Sequence, residues 1–173
     1  MKRKSSLLIM LLLGIAVFLG CDKVPKKIYF AGVKFERQTK VGMGSMKKIS
    51  LFLPTGEHDI LAPKRFLQIT ETTFKHFNQK GLQSNINRFI SFFGKYGLVK
   101  INNDYHTLCL RFKKKDIIYL MHIFVYTKNN TVLHLLQHAT KLKKEDLHTD
   151  IKELCADSEV NIIELKRIAH KIF

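Results

Sequence analysis

The stretch Tyr105-His106-Thr107-Leu108-Cys109-Leu110-Arg111-Phe112-Lys113 decides the fold, because its side chains alternate without a break. His106, Leu108, Leu110 and Phe112 fall on one side and Thr107, Cys109 and Arg111 on the other, the period-2 pattern of a strand. Lys113-Lys114-Lys115 then turns the chain into Asp116 to Thr127. That segment is apolar at both parities, as a central strand covered on both faces must be. Lys128-Asn129-Asn130 forms a second turn, leading into Thr131 to Thr140. Consecutive strands joined by short polar turns predict an antiparallel meander. Leu98 to Ile101, followed by Asn102-Asn103-Asp104, adds a short strand ahead of it.

Upstream, the period changes. Leu82, Ile86, Phe89, Ile90 and Phe93 line one face of a 3.6-residue repeat, which predicts a helix over Leu82 to Tyr96 punctuated by Gly94 and Gly97. Pro63 suits the first turn of another helix, with Phe66, Ile69, Thr73 and Phe77 as its stripe. Ile28 to Glu36 and Lys48 to Leu53 alternate as strands, separated by a glycine turn at Val41-Gly42-Met43-Gly44-Ser45. Downstream, Leu147, Ile151, Leu154 and Cys155 stripe one helix, and Leu165, Ile168, Ala169 and Ile172 a second, with Asp157-Ser158 as the N-cap between them. The expected fold class is α+β: an antiparallel β-meander sheet of about five or six strands with packed helices, two of them C-terminal.

Two short motifs fail their chemistry. Gly42-Met43-Gly44-Ser45-Met46-Lys47-Lys48 lacks the spacing of a phosphate loop and is followed by a strand, so no helix N-terminus faces a phosphate. His134-Leu135-Leu136-Gln137-His138 has the histidine spacing of a zinc protease, but Leu135 stands where the general base belongs.

A third pattern depends on register. If Phe112 pairs with Asp116 and Tyr126 with Asn130, then His106, His122 and His134 lie side by side on adjacent strands. Three imidazoles about 4.5–5.5 Å apart at Cβ could hold Zn²⁺ or Ni²⁺, although a one-residue slip dismantles the row. Otherwise no cofactor is expected. Cys109 and Cys155 form a candidate disulfide, provided that the helix carrying Cys155 covers the strand face to which Cys109 points.

The N-terminal segment speaks to location. Met1-Lys2-Arg3-Lys4 precedes an apolar run from Leu7 to Leu19 and ends at Gly20-Cys21-Asp22. This resembles a bacterial lipoprotein signal of the lipobox type, with Phe18 and Leu19 departing from the commoner box residues. The resemblance implies cleavage before Cys21, acylation of that cysteine, and an Asp22 that favours the periplasmic face of the inner membrane over the outer membrane. The organisation expected is a signal peptide at 1–20, a short lipidated tether at 21–27 and a single domain at 28–173. No apolar run after Cys21 approaches the ~20 residues of a spanning helix.

Charge defines the partner class. The chain carries a formal +16, of which Lys2, Arg3 and Lys4 leave with the signal, so the mature protein carries +13. Residues 21–140 hold 20 Lys and Arg against 7 acidic groups, whereas residues 141–173 are balanced. A basic body implies an anionic neighbour. For an exported chain that means anionic lipid or an acidic envelope polymer, not nucleic acid, with Lys26, Lys27, Lys113, Lys114 and Lys115 as contacts. The leading expectation is a non-enzymatic, membrane-anchored binding or scaffolding module, with a protein partner in an envelope or secretion assembly. The alternative is a small envelope enzyme or a metal-binding protein using the sheet histidines.

Overall fold

Alternating segments such as Tyr105–Lys114 gain nothing as isolated strands; they become stable when both ladder edges and at least one face are satisfied. In the computed structural model of the chain, residues 23–43, 47–73, 84, 86–88, 91–92, 97–101, 105–114, 116–128, 132–156 and 158–173 are described. They build one eight-stranded antiparallel sheet in the order β1-β2-β3-β4-β8-β7-β6-β5. The strands are β1 Lys27–Phe30, β2 Val33–Met43, β3 Lys47–Pro54, β4 Arg65–Thr73, β5 Gly97–Ile101, β6 Tyr105–Lys114, β7 Ile117–Lys128 and β8 Val132–Lys141. A 3₁₀ turn at Glu145–Leu147 and two helices, α1 Ile151–Leu154 and α2 Ser158–Ile172, close the chain. Two four-stranded meanders thus meet along the β4–β8 ladder.

The fold is mostly sheet, which corrects the expected α+β class with its layer of packed helices. Two local misreadings account for the missing strands. Ile28 to Glu36 is not one strand, because Ala31 and Gly32, at φ of 46° and 74°, make a two-residue turn with Phe30 paired to Val33. Positive φ at both central residues is the turn geometry whose twist matches a hairpin. The helix expected from Pro63 is instead β4. Its stripe of Phe66, Ile69 and Thr73 also satisfies a two-sided strand, and Ile69, Thr70, Thr72 and Thr73 are β-branched. Phe66 and Leu67 are both buried, on opposite faces of the sheet. Of the helix expected over Leu82 to Tyr96, residues 84, 86–88 and 91–92 are helical and the others lie outside the described residues.

The sheet curls into a half-barrel. Phe30 on β1 meets His138 on β8 with ring centroids 4.3 Å apart, although three strands separate them in the ladder. At ~4.8 Å per strand, a flat sheet would hold them about 19 Å apart. One face carries Phe30, Phe35, Phe52, Leu67, Phe124 and Leu136, against which α2 places Leu165, Ile168 and Ala169. The other face buries Leu53, Leu108, Leu110, Tyr119, Met121 and Ile123. Tyr119 is fully buried and satisfies its hydroxyl by donating to the Pro63 carbonyl at 3.0 Å, which fixes the loop before β4.

Cys109 on β6 and Cys155, at the C-terminal cap of α1, are joined by a disulfide with their Cα atoms 6.0 Å apart. The bond spans 46 residues and ties the C-terminal helices to the sheet. Beside it, the Arg111 guanidinium donates to the Thr149 carbonyl. Val24, only 2 % exposed, packs into the first core, and its carbonyl accepts from Arg37 Nη1 at 3.0 Å. The chain is therefore docked from Val24 onward, within the segment expected to serve as a tether.

Candidate functional site

Register decides what the histidines can do. Lys114 pairs with Ile117, so the β6–β7 turn is shorter than the three-residue loop expected, and Lys128 pairs with Val132 instead of Tyr126 with Asn130. His106 consequently faces Val125, His122 lies between Cys109 and His138, and His134 faces Tyr126 and Glu71. His106 and Cys109 have opposite parity on β6, so His106 and His122 point to opposite sides of the sheet. His134 shares the side of His122 but stands four residues from its partner His138, about 13 Å along the strand. The expected row of His106, His122 and His134 is dismantled. Among the described residues, no group of three His, Cys, Asp or Glu is placed to hold a metal ion. The same strand geometry disposes of the zinc-protease spacing, since His134 and His138 would need a helical turn to converge.

What register creates instead is a pair. His122 and His138, 3 % and 6 % exposed, stack with ring planes 16° apart and centroids 6.2 Å apart. Burial lowers the His122 pKa to about 4. Burial, then the neighbouring His122, then Arg65 lower that of His138 to about 3. Both are neutral at physiological pH. Both His122 ring nitrogens and His138 Nδ1 lack hydrogen-bond partners among the described residues. Unpartnered buried polar atoms are scarce in folded proteins and each calls for an explanation.

His138 opens onto a cavity of about 260 Å³ between the β1–β2 hairpin, β4, β8 and the first turns of α2. Arg65, Thr140 and Asn161 line it with polar groups, and Phe30 and Phe35 supply apolar walls. Arg65 and Thr140 are paired across the β4–β8 ladder, which sets their side chains on the same face.

A second concavity, also about 260 Å³, lies between β1 and α2. Lys23, Lys27, Arg167 and Lys171 surround it, while Ile28 and Ile168 contribute apolar surface. Tyr29 at its edge is 63 % exposed. Arg167 clamps the two elements by donating to the Tyr29 carbonyl at 3.2 Å and to Glu164 Oε2 at 2.8 Å. Close by, Glu36 serves both Lys34 at 3.1 Å and Lys27 at 3.7 Å, so one carboxylate answers two ammonium groups. The Lys34 hydrogen bond holds the Glu36 carboxyl below its usual range.

The other sequence-derived positions are dispersed. Lys26 is exposed directly before β1 and Lys27 is exposed at its start. Lys113 is exposed at the end of β6, and Lys114 lines a cavity on the opposite face with Leu51 and Phe112. Cys21 and Lys115 lie outside the described residues. Sequence reasoning missed His138, Arg65, Thr140, Asn161, Lys23, Arg167 and Lys171 as site residues. Only His138 left a trace, as the second histidine of a motif that requires a helix.

Comparison with known proteins identifies no relative: no protein-family model, curated protein or solved structure matches the chain. Among the described residues, no helix is long and apolar enough to cross a membrane.

Proposed function

We propose that this protein is a lipid-anchored, non-enzymatic binding module of the bacterial envelope. It is held through Cys21, with the basic groove between β1 and α2 turned toward anionic lipid headgroups. The groove carries this reading. Its four lining cations are Lys23 and Lys27, ahead of and at the start of β1, and Arg167 and Lys171 on α2, and no acidic residue lines it. Lys23 follows Cys21 by two residues, a reach of about 7 Å, and the docking of Val24 allows about 10 Å of free chain. The groove therefore stays close to whatever surface holds Cys21.

Each Lys or Arg near an anionic surface contributes about 1 kcal/mol, falling off within a Debye length. One lipid group anchors marginally, and a polybasic patch supplies the second signal. Lys26 and Lys27 join this contact, and the run Lys113-Lys114-Lys115 near the β6–β7 turn is a second candidate contact. Asp22 assigns the protein to the periplasmic face of the inner membrane within this proposal.

The test uses the mature chain from residue 21 carrying Cys21→Ala, sedimented with vesicles. It should bind vesicles containing phosphatidylglycerol, release them as salt rises, and lose most binding when Lys23, Lys27 and Lys171 are changed together to Glu. Equal binding to phosphatidylcholine vesicles, or indifference to salt, refutes the reading.

A further inference from the structure

We propose that the cavity between β4, β8 and the start of α2 binds a small anion, a carboxylate or phosphate group held by the Arg65 guanidinium with Thr140, Asn161 and His138 around it. This inference is independent of the membrane reading, because it uses a different cavity and none of the groove cations.

Three separate elements deliver polar groups to one space of about 260 Å³: Arg65 from β4, His138 and Thr140 from β8, and Asn161 from α2. That volume falls just below the usual range of small-molecule sites, roughly 300–1,000 Å³, so it fits a single charged group with a small body. The polar groups are matched to an anion. A guanidinium offers a planar fork of donors complementary to carboxylate and phosphate, a hydroxyl and an amide add donors, and the residues of the lining include no acid. Arg65 has no ion-pair partner among the described residues. Asn161 belongs to the opening of a 15-residue helix, where the macrodipole favours negative charge. Glu159 is exposed two residues away, about 200° around the helix axis from Asn161, and so sits on the far side.

The buried histidine is the independent observation. His138 is 6 % exposed, lines the cavity and leaves Nδ1 without a partner among the described residues. A neutral imidazole carries one N–H donor, and the ring's two orientations differ in which nitrogen presents it. The imidazole stands in the wall of the cavity with Phe30 and Arg65. Phe30 and Phe35 supply the apolar walls.

The test measures calorimetric binding of sodium acetate and of sodium phosphate to the full-length protein in nonionic detergent, at constant ionic strength with chloride as the reference anion. Saturable binding of at least one is expected. Acetate alone identifies a carboxylate site, phosphate alone a phosphate site, and both a general anion site. Charge-assisted hydrogen bonds are worth about 1.5–3 kcal/mol, so Arg65→Gln should weaken binding at least about tenfold. Thr140→Val, which keeps the shape and removes the hydroxyl, should weaken it by a smaller factor, and Lys152→Gln, exposed on α1 and outside both cavities, should leave it unchanged. If Arg65→Gln does not fold, Thr140→Val and Asn161→Leu carry the test. Absence of saturable binding by either anion, or full affinity in the pocket variants, overturns the proposal while leaving the vesicle result untouched.

Discussion

His122 on β7 lies directly across the ladder from His138 on β8, and the two rings stack 6.2 Å apart with no water-facing edge of consequence. Both are neutral in the folded protein because charging either would place an imidazolium in the core. The unfolded chain has no such restraint and takes up protons near pH 6.5.

Acid should therefore unfold the protein. Both folded pKa values lie below the unfolded one, so the unfolded state binds more protons as pH falls below about 6.5, and stability is lost there. The loss continues until the folded pKa values, about 4 for His122 and about 3 for His138, are passed. Between pH 7 and 5 each histidine accounts for about 1.8 kcal/mol, the slope approaching 1.36 kcal/mol per pH unit once the unfolded imidazole is protonated. Urea titrations at pH 7 and pH 5 should show this drop, and His122→Leu with His138→Leu should remove most of it. A free energy that changes by less than about 1 kcal/mol over that range contradicts the neutral buried pair.

The Cys109–Cys155 bond should contribute stability through the unfolded state. Closing a loop of 46 residues removes chain entropy worth about 4 kcal/mol on the loop-closure argument. Reduction, or Cys109→Ser with Cys155→Ser, should lower the thermal midpoint and loosen α1 and α2 from the sheet. Two titratable thiols in the unreduced, unfolded mature protein would show that the bond is absent.

Helix α2 is attached by a few side chains. Leu165 is fully buried against the first core, whereas Val160 on the same helix is largely exposed. Leu165→Ala should cost about 2–5 kcal/mol, and Val160→Ala less than about 0.5 kcal/mol. Equal effects would mean that α2 does not rest on the sheet through this face.

Cys21→Ala tests the anchor. Wild-type protein should partition into detergent and carry the mass of acyl chains, and the variant should remain unprocessed or soluble. A variant that fractionates and migrates like wild type removes Cys21 as the anchor.

The sequence was most informative where side-chain period alone sufficed. Strict alternation marks β6, and a run apolar at both parities marks β7 as an interior strand, because each pattern depends only on which face is buried. It was least informative where two structures share one pattern. Phe66, Ile69 and Thr73 satisfy a helical stripe, yet the same segment buries both faces as β4 between β3 and β8. The turn at Ala31-Gly32 was hidden because alternation continues across it.

The candidate sites divide in the same way. Chain order alone places Lys26 and Lys27 beside Cys21, and composition alone gives a basic body that needs an anionic neighbour. Which histidines meet was decided by the placement of two hairpin turns: moving each register by a few residues leaves every strand recognisable but exchanges the partners, so that His122 meets His138 and neither His106 nor His134. The cavity around Arg65 required still more, since the β1–β2 hairpin reaches the paired β4 and β8 only when the sheet curls, and α2 must also be held against that face. Period, charge and order along the chain are local properties that a sequence states outright. Cross-strand partners and convergent pockets depend on contacts between distant segments, and only the tertiary packing selects among them.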